Sequence, residues 1–154
     1  FYTYNNADRI MYFGDGTGAW PGTPYNWVFE CKDFKAEGAH AFRGYVSNRP
    51  GDFLIPGDHT ACFRFSNGIS TGGSVFSLPG LNTSPYNTGG IIRIDANRIE
   101  STSGAGISTY YGGTTIYVTA NEVTGTTYGI SSGTGIYYQN LYADIENCYG
   151  ATAA

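Results

Sequence analysis

The chain has 154 residues and a formal net charge of −4, and only 13% of its residues are charged. Its 23 glycines interrupt every segment, which excludes long helices and favours a single all-β domain over residues 1–154. The sequence has no basic patch and no apolar run of about 20 residues, so neither nucleic-acid binding nor membrane insertion is predicted. The chain begins at Phe1, and we expect it to be a processed chain or a piece of a longer one.

Short apolar segments are the first candidate strands in chain order. They lie at residues 10–13, 27–34 and 63–69. The segment at 27–34 has apolar side chains at alternating positions, as a half-buried strand does. The segment at 63–69 fits the same pattern if Phe63 and Phe65 are its two inward positions and one residue is missing.

Two long stretches separate these segments from the strands that follow them. Residues 43–59 and 72–89 are rich in Gly, Pro, Asn and Ser. Residues of these types favour turns, so both stretches are predicted to be loops inserted in the N-terminal half and projecting from one face.

A repeat near the C-terminus is the clearest organised feature of the sequence. Its three blocks start at Ile92, Ile116 and Leu141, at offsets of 24 and 25 residues. A second short element, Gly-Ile-Ser, follows the first two blocks at residues 106–108 and 129–131. Self-similarity at a fixed period with two short strands per repeat predicts a parallel β-helix. With the weaker upstream matches, about five to six coils are expected.

Equivalent positions of the three blocks should stack in columns. The first predicted inward column is Ile94, Val118 and Ala143, and the second is Ile99, Val123 and Cys148. Asn97 and Asn121 fall where the chain must turn between two strands, and Asn tolerates turns and forms amide ladders with the same residue one coil away.

This repeat resembles the right-handed parallel β-helix superfamily that includes pectate lyases, polygalacturonases and bacteriophage tailspikes. The resemblance covers about residues 27–150, and it implies a right-handed solenoid. Polygalacturonase motifs (Asn-Thr-Asp, Asp-Asp and Gly-His-Gly) are absent, and Asn48-Arg49-Pro50-Gly51 lacks the pectate lyase pattern. The resemblance to tailspikes implies a homo-oligomer, with a trimer as the expected state, located outside the cell or on a virion surface.

The outward positions predict two further columns. One is Val28, Arg64, Arg93, Tyr117 and Tyr142, and the other is Glu30, Ser66, Asp95, Thr119 and Asp144. Asp95 and Asp144 would lie two coils apart, at about 9.6 Å from the inter-strand spacing. This separation suits the two carboxylates of an inverting glycosidase, which makes the pair a candidate catalytic site. We favour the alternative that both are solvated surface charges.

The 14 tyrosines suggest a binding surface. A tyrosine combines an apolar ring with a hydroxyl, which suits contact with sugars. The candidate ligand-binding residues are Arg93, Tyr110, Tyr111, Tyr117 and Tyr142. A subunit interface and simple stacking between coils remain open as alternatives for the same tyrosines.

Cys31, Cys62 and Cys148 show no metal-ligand spacing with His40 or His59, so no metal and no cofactor is predicted. Cys31 and Cys148 fall at inward positions and are expected to be core thiols.

Three functional classes remain. The favoured one is a structural and recognition module of a virion appendage or extracellular surface fibre, which contacts surface polysaccharide. The alternatives are an assembly subunit, for decoration or a filament, and a polysaccharide lyase or glycoside hydrolase.

Overall fold

The computed structural model describes residues 2–3, 11–13, 26–38, 40–44, 60–79, 91–110, 115–132 and 140–150. These residues form strands and their connections, with no helix among them. In chain order the strands are β1 (Tyr2–Thr3), β2 (Met11–Phe13), β3 (Asn26–Glu30), β4 (Asp33–Ala36), β5 (Phe42–Gly44), β6 (Thr60–Ser70), β7 (Phe76–Pro79), β8 (Ile91–Ser101), β9 (Ile107–Tyr110), β10 (Thr115–Gly125), β11 (Ile130–Ser132) and β12 (Asn140–Gly150).

The strands form two parallel sheets. The larger sheet has seven strands in the order β1-β4-β6-β8-β10-β12, with β3 also beside β6. The smaller sheet has five strands in the order β11-β9-β7-β5-β2. From β6 to β12 the chain alternates between the sheets, so that β6, β8 and β10 are each followed by a short strand in the other sheet. The all-β prediction is confirmed, and the parallel stacking is that of a β-helix or solenoid.

The strand register of the C-terminal half agrees with the repeat. Val118 pairs with both Ile94 and Ala143, and Val123 pairs with both Ile99 and Cys148. In the smaller sheet β11 and β9 pair from Ile130 and Ile107 onward. Both predicted inward columns are therefore confirmed as columns.

In β6, β8 and β10 the alternation of buried and exposed side chains shifts near the middle of the strand. In β8 the buried positions are Ile92 and Ile94 before the change and Ile99 and Ser101 after it, with Asn97 exposed between them. The Nδ2 group of Asn121 donates a hydrogen bond to Oδ1 of Asn97 at 2.7 Å. The predicted asparagine ladder thus links β8 and β10 at this point, where a side-chain bond joins one coil to the next.

The predicted alignment of residues 63–69 was wrong by two positions. Phe63 pairs with Ile94 instead of Ile92, and no residue is missing, because β6 has the full 11 residues of the other long strands. The position opposite Ile99 is Gly68. A Cβ atom there would overlap Cζ of Phe34 and lie 2.7 Å from Cε2 of Phe65. Gly68 therefore leaves the space that these two rings fill.

Parts of the two segments predicted to be loops, and the candidate strand at residues 10–13, belong to the smaller sheet. Strand β5 includes Arg43, and β7 lies inside the stretch 72–89, so each predicted insertion contains sheet residues near its start. The buried side chains of Phe76 and Leu78 explain why β7 is held in the sheet. The candidate strand at residues 10–13 contains β2, which pairs with β5 rather than with the long strands. Residues 45–59 and 80–90 lie outside the described residues.

The core changes in character along the stack. Its N-terminal part is a cluster of aromatic rings whose neighbouring centroids lie 4.8 to 6.3 Å apart: Phe29, Phe34, Phe42, Phe63, Phe65 and Phe76. Its C-terminal part is aliphatic and includes Ile94, Ile99, Val118 and Val123.

Ala143, which was predicted to be inside, is exposed although it is in register with Val118. The reason is that, among the described strands, β12 is the outermost of its sheet and has a neighbour on one side alone.

We predict that Gly68→Ala lowers the free energy of unfolding by about 1–3 kcal/mol, because the added methyl overpacks a filled core. Urea unfolding followed by circular dichroism measures the change. The double variant Gly68→Ala/Phe65→Leu should lose less than the sum of the two single losses, since the smaller side chain makes room for the methyl. Additive losses, or a neutral Gly68→Ala variant, would contradict this packing.

Candidate functional site

The outward face of the larger sheet carries the predicted columns with one correction. The first column is Val28, Cys62, Arg93, Tyr117 and Tyr142, and the second is Glu30, Arg64, Asp95, Thr119 and Asp144. The positions on β3, β8, β10 and β12 are as predicted. The two positions on β6 were wrong: Cys62 stands where Arg64 was expected, and Arg64 stands where Ser66 was expected. Both errors follow from the two-residue shift of β6.

Arg93, Tyr117 and Tyr142 form a continuous stack, which we call the Arg-Tyr stack. The rings of Tyr117 and Tyr142 have centroids 5.1 Å apart and planes inclined by 14°. Cζ of Arg93 lies 4.5 Å from the centroid of the Tyr117 ring. Because β10 lies between β8 and β12, the guanidinium and the second ring cover opposite faces of Tyr117. The stack therefore offers the edge of Tyr117 to solvent rather than a flat face.

Tyr142 is the accessible end of this stack. It pairs with Tyr117 on one side, and its side chain is 55% exposed. Its other ring face points away from β10, where β12 has no neighbouring strand among the described residues. A ring face that is open to water at the end of an aromatic column can pack against the apolar face of a sugar or another ring.

The neighbouring column is a short ladder of opposite charges. Arg64 lies between Glu30 and Asp95, with N–O distances of 4.0 and 3.8 Å. All three side chains are more than half exposed, so each pair contributes less than about 1 kcal/mol. Asp95 is thus already paired with a cation on the neighbouring strand.

Asp95 and Asp144 lie in the same column, as predicted, with Thr119 between them. A catalytic general acid needs shelter from water, and the Asp95 side chain is 57% exposed. Asp144 is also exposed, on the outermost strand. The arrangement is that of surface carboxylates rather than of an enclosed acid-base pair.

Of the other two candidate ligand-binding tyrosines, one lies on the smaller sheet. Tyr110 is the last residue of β9 in the smaller sheet, where its backbone lies opposite Pro79. Tyr111 lies outside the described residues.

Sequence reasoning missed an open groove on the second half of the long strands. Its volume is about 550 Å³, and it is lined by Asp33, Phe34, Lys35, Asn67, Ile69 and Arg98. Nδ2 of Asn67 donates a hydrogen bond of 2.7 Å to Oδ1 of Asp33, and Nζ of Lys35 lies 2.6 Å from Oε1 of Glu37. The correct alignment of β6 would have brought three of these lining residues together, because it places Asn67 between Asp33 and Arg98.

The three cysteines are unbonded and partly buried. Cys31 and Cys148 pack against the core, as predicted, whereas Cys62 belongs to the outward column of Arg93. Burial raises the pKa of the Cys31 thiol. Within the described ranges, His, Cys, Asp and Glu side chains form no group of three or more that could hold a metal ion.

No protein-family model, curated protein or solved structure matches this chain. In the part of the chain that the structure describes, there is no helix long and apolar enough to span a membrane.

We predict that Tyr117 and Tyr142 stabilise each other. In a double-mutant cycle of Tyr117→Ala and Tyr142→Ala, the coupling in unfolding free energy should be about 0.5–1.5 kcal/mol, the usual value of an aromatic pair. Urea unfolding of the four proteins measures it. Tyr149 provides a matched control, because it lies on β12 with similar exposure but in another column. The cycle of Tyr117→Ala with Tyr149→Ala should show coupling near zero, and equal coupling in both cycles would contradict the stack.

Proposed function

We propose that this chain is a recognition module of a virion appendage or an extracellular surface fibre, built as a right-handed parallel β-helix of about five to six coils, and that it contacts glycans. The hand is supported by a general rule, because a crossover between parallel strands of one sheet is nearly always right-handed. The coil number is supported by the strand order of the larger sheet. Strands β6, β8, β10 and β12 each belong to one coil, β3 and β4 together belong to an earlier coil, and β1 belongs to one further coil.

The observation that carries glycan contact is the exposed Arg-Tyr stack. A regular outward face of a solenoid needs no aromatic column in order to fold, since the core already holds the coils together. Here two tyrosines and an arginine occupy adjacent outward positions, and Tyr142 leaves one ring face open. Tyrosine and arginine are enriched among the residues that contribute most to binding at protein interfaces, and a tyrosine combines an apolar ring with a hydroxyl group. In this proposal Tyr142 packs against the sugar ring, and Tyr117 holds Tyr142 in position.

The second candidate function is an assembly subunit, and the outermost strand favours it. Leu141, Ile145 and Cys148 pack against the core but are only partly buried, and Ala143 is exposed. An edge strand with a partly open core invites another strand. If the chain is an assembly subunit, self-association covers the edge of β12, and the resemblance to tailspikes suggests a trimer.

Of the three proposed functions, that of an enzyme has the least support. Asp95 contacts Arg64, and both candidate carboxylates stand on an exposed face. We therefore expect no release of reducing sugar from polysaccharides. If the carboxylates were catalytic, Asp144→Asn would abolish that release and leave binding intact.

A glycan array tests the favoured proposal. We predict that the native chain binds at least one oligosaccharide class, and that Tyr142→Ala weakens this binding by about tenfold or more through the lost ring contact. Tyr149→Ala should leave binding unchanged, because Tyr149 is equally exposed on the same strand but lies outside the stack. Circular dichroism and thermal unfolding confirm that each variant is folded. Binding to no glycan, or equal losses in the two variants, would contradict the proposal.

A further inference from the structure

The arginines with described side chains differ in their partners. Arg64 lies within 4.0 Å of Glu30 and Asp95, and Arg98 lies within 3.6 Å of Glu100 and Glu122. Arg93 is exposed and forms no ion pair with any described residue. Its guanidinium rests on the ring of Tyr117 instead.

The location of Arg93 leaves its hydrogen-bonding edge available. A guanidinium that stacks on a ring uses its flat face, whereas its N–H groups point outward in its own plane. Such a fork matches a planar carboxylate, with which it forms two parallel hydrogen bonds. Asp95, on the same strand and the same face, does not neutralise Arg93 because it lies next to Arg64.

The charge of the surface changes from positive to negative along the Arg-Tyr stack. Arg93 lies at one end, Tyr117 and Thr119 are uncharged in the middle, and Asp144 stands beside Tyr142 at the other end. Asp144 forms no ion pair with the described residues. The two ends are two strands apart, about 9.6 Å. An anionic group is therefore favoured at the β8 end and disfavoured at the β12 end.

We infer that the glycan bound by the Arg-Tyr stack carries a carboxylate, and that it binds in one direction. The carboxylate is held by Arg93, and an uncharged sugar ring packs on Tyr142 with its hydroxyl groups donating to Asp144. This inference rests on the proposed glycan-binding function and adds the ligand class, the residue that selects it and the orientation.

A matched pair of probes tests the inference. One is an oligosaccharide that contains a uronic acid, and the other is the same oligosaccharide after reduction of its carboxyl group to an alcohol. We expect the native chain to bind the acid form at least about tenfold more tightly than the reduced form. Arg93→Gln should bind both forms with the affinity that the native chain has for the reduced form. Arg93→Lys should retain part of the preference, because it keeps the charge without the planar fork.

Arg98→Gln is the control for charge alone. It removes one positive charge from the same sheet, but from a residue that already contacts two carboxylates, so the preference for the acid form should remain. A sulfated oligosaccharide of the same backbone separates carboxylate recognition from attraction to any anion. Tighter binding of the sulfated form would overturn the inference.

The two proposals fail in different ways. If the native chain binds the acid and reduced forms equally, or if Arg93→Gln keeps the preference, glycan binding stands and the role of Arg93 is wrong. If the native chain binds none of the probes and no glycan on the array, the proposed function itself is wrong.

Discussion

In-register stacking of parallel strands is the constraint on which the rest of this structure depends. Each long strand places equivalent residues directly above those of the strand before it, about 4.8 Å away. A residue therefore has its counterparts in the neighbouring coils as its nearest partners. The same constraint produces the aliphatic columns of the core, the hydrogen bond between the side-chain amides of Asn121 and Asn97, and the Arg-Tyr stack.

Within this constraint, the size of a side chain in one coil limits the size allowed in the next. In the C-terminal half, the equivalent buried positions of β8 and β10 hold Ile or Val of similar size. In the N-terminal half, Phe34 and Phe65 are larger, and Gly68 compensates by having no side chain. The outward face has no such limit, and it is there that charged and aromatic residues vary from coil to coil.

The sequence predicted the C-terminal half well because its blocks differ little in length, so that the offsets of 24 and 25 residues determine the register. The sequence led to a wrong register for β6 because Phe63-Arg64-Phe65 has the same apolar-Arg-apolar pattern as Ile92-Arg93-Ile94. The residue that pairs with Ile99 is a glycine, and a glycine gives no apolar position by which the register could be recognised. The strands of the smaller sheet were partly missed because β5 and β7 have only 3 and 4 residues and adjoin turn-rich stretches. Tyr117 and Tyr142 were correctly placed side by side. The covering of both Tyr117 faces depends on side-chain rotamers, which a repeat pattern does not contain.

Disulfide trapping of the register is the most direct test of this account. In a background with Cys31, Cys62 and Cys148 replaced by Ser, the variant Asp95→Cys/Thr119→Cys places two thiols at paired positions on the outward face. Neighbouring parallel strands lie within the Cα separation that a disulfide requires, so mild oxidation should join these residues rapidly. The pair Asp95→Cys/Tyr117→Cys lies on the same face two residues out of register and should oxidise slowly. Rapid bonding of the second pair and none of the first would contradict in-register stacking.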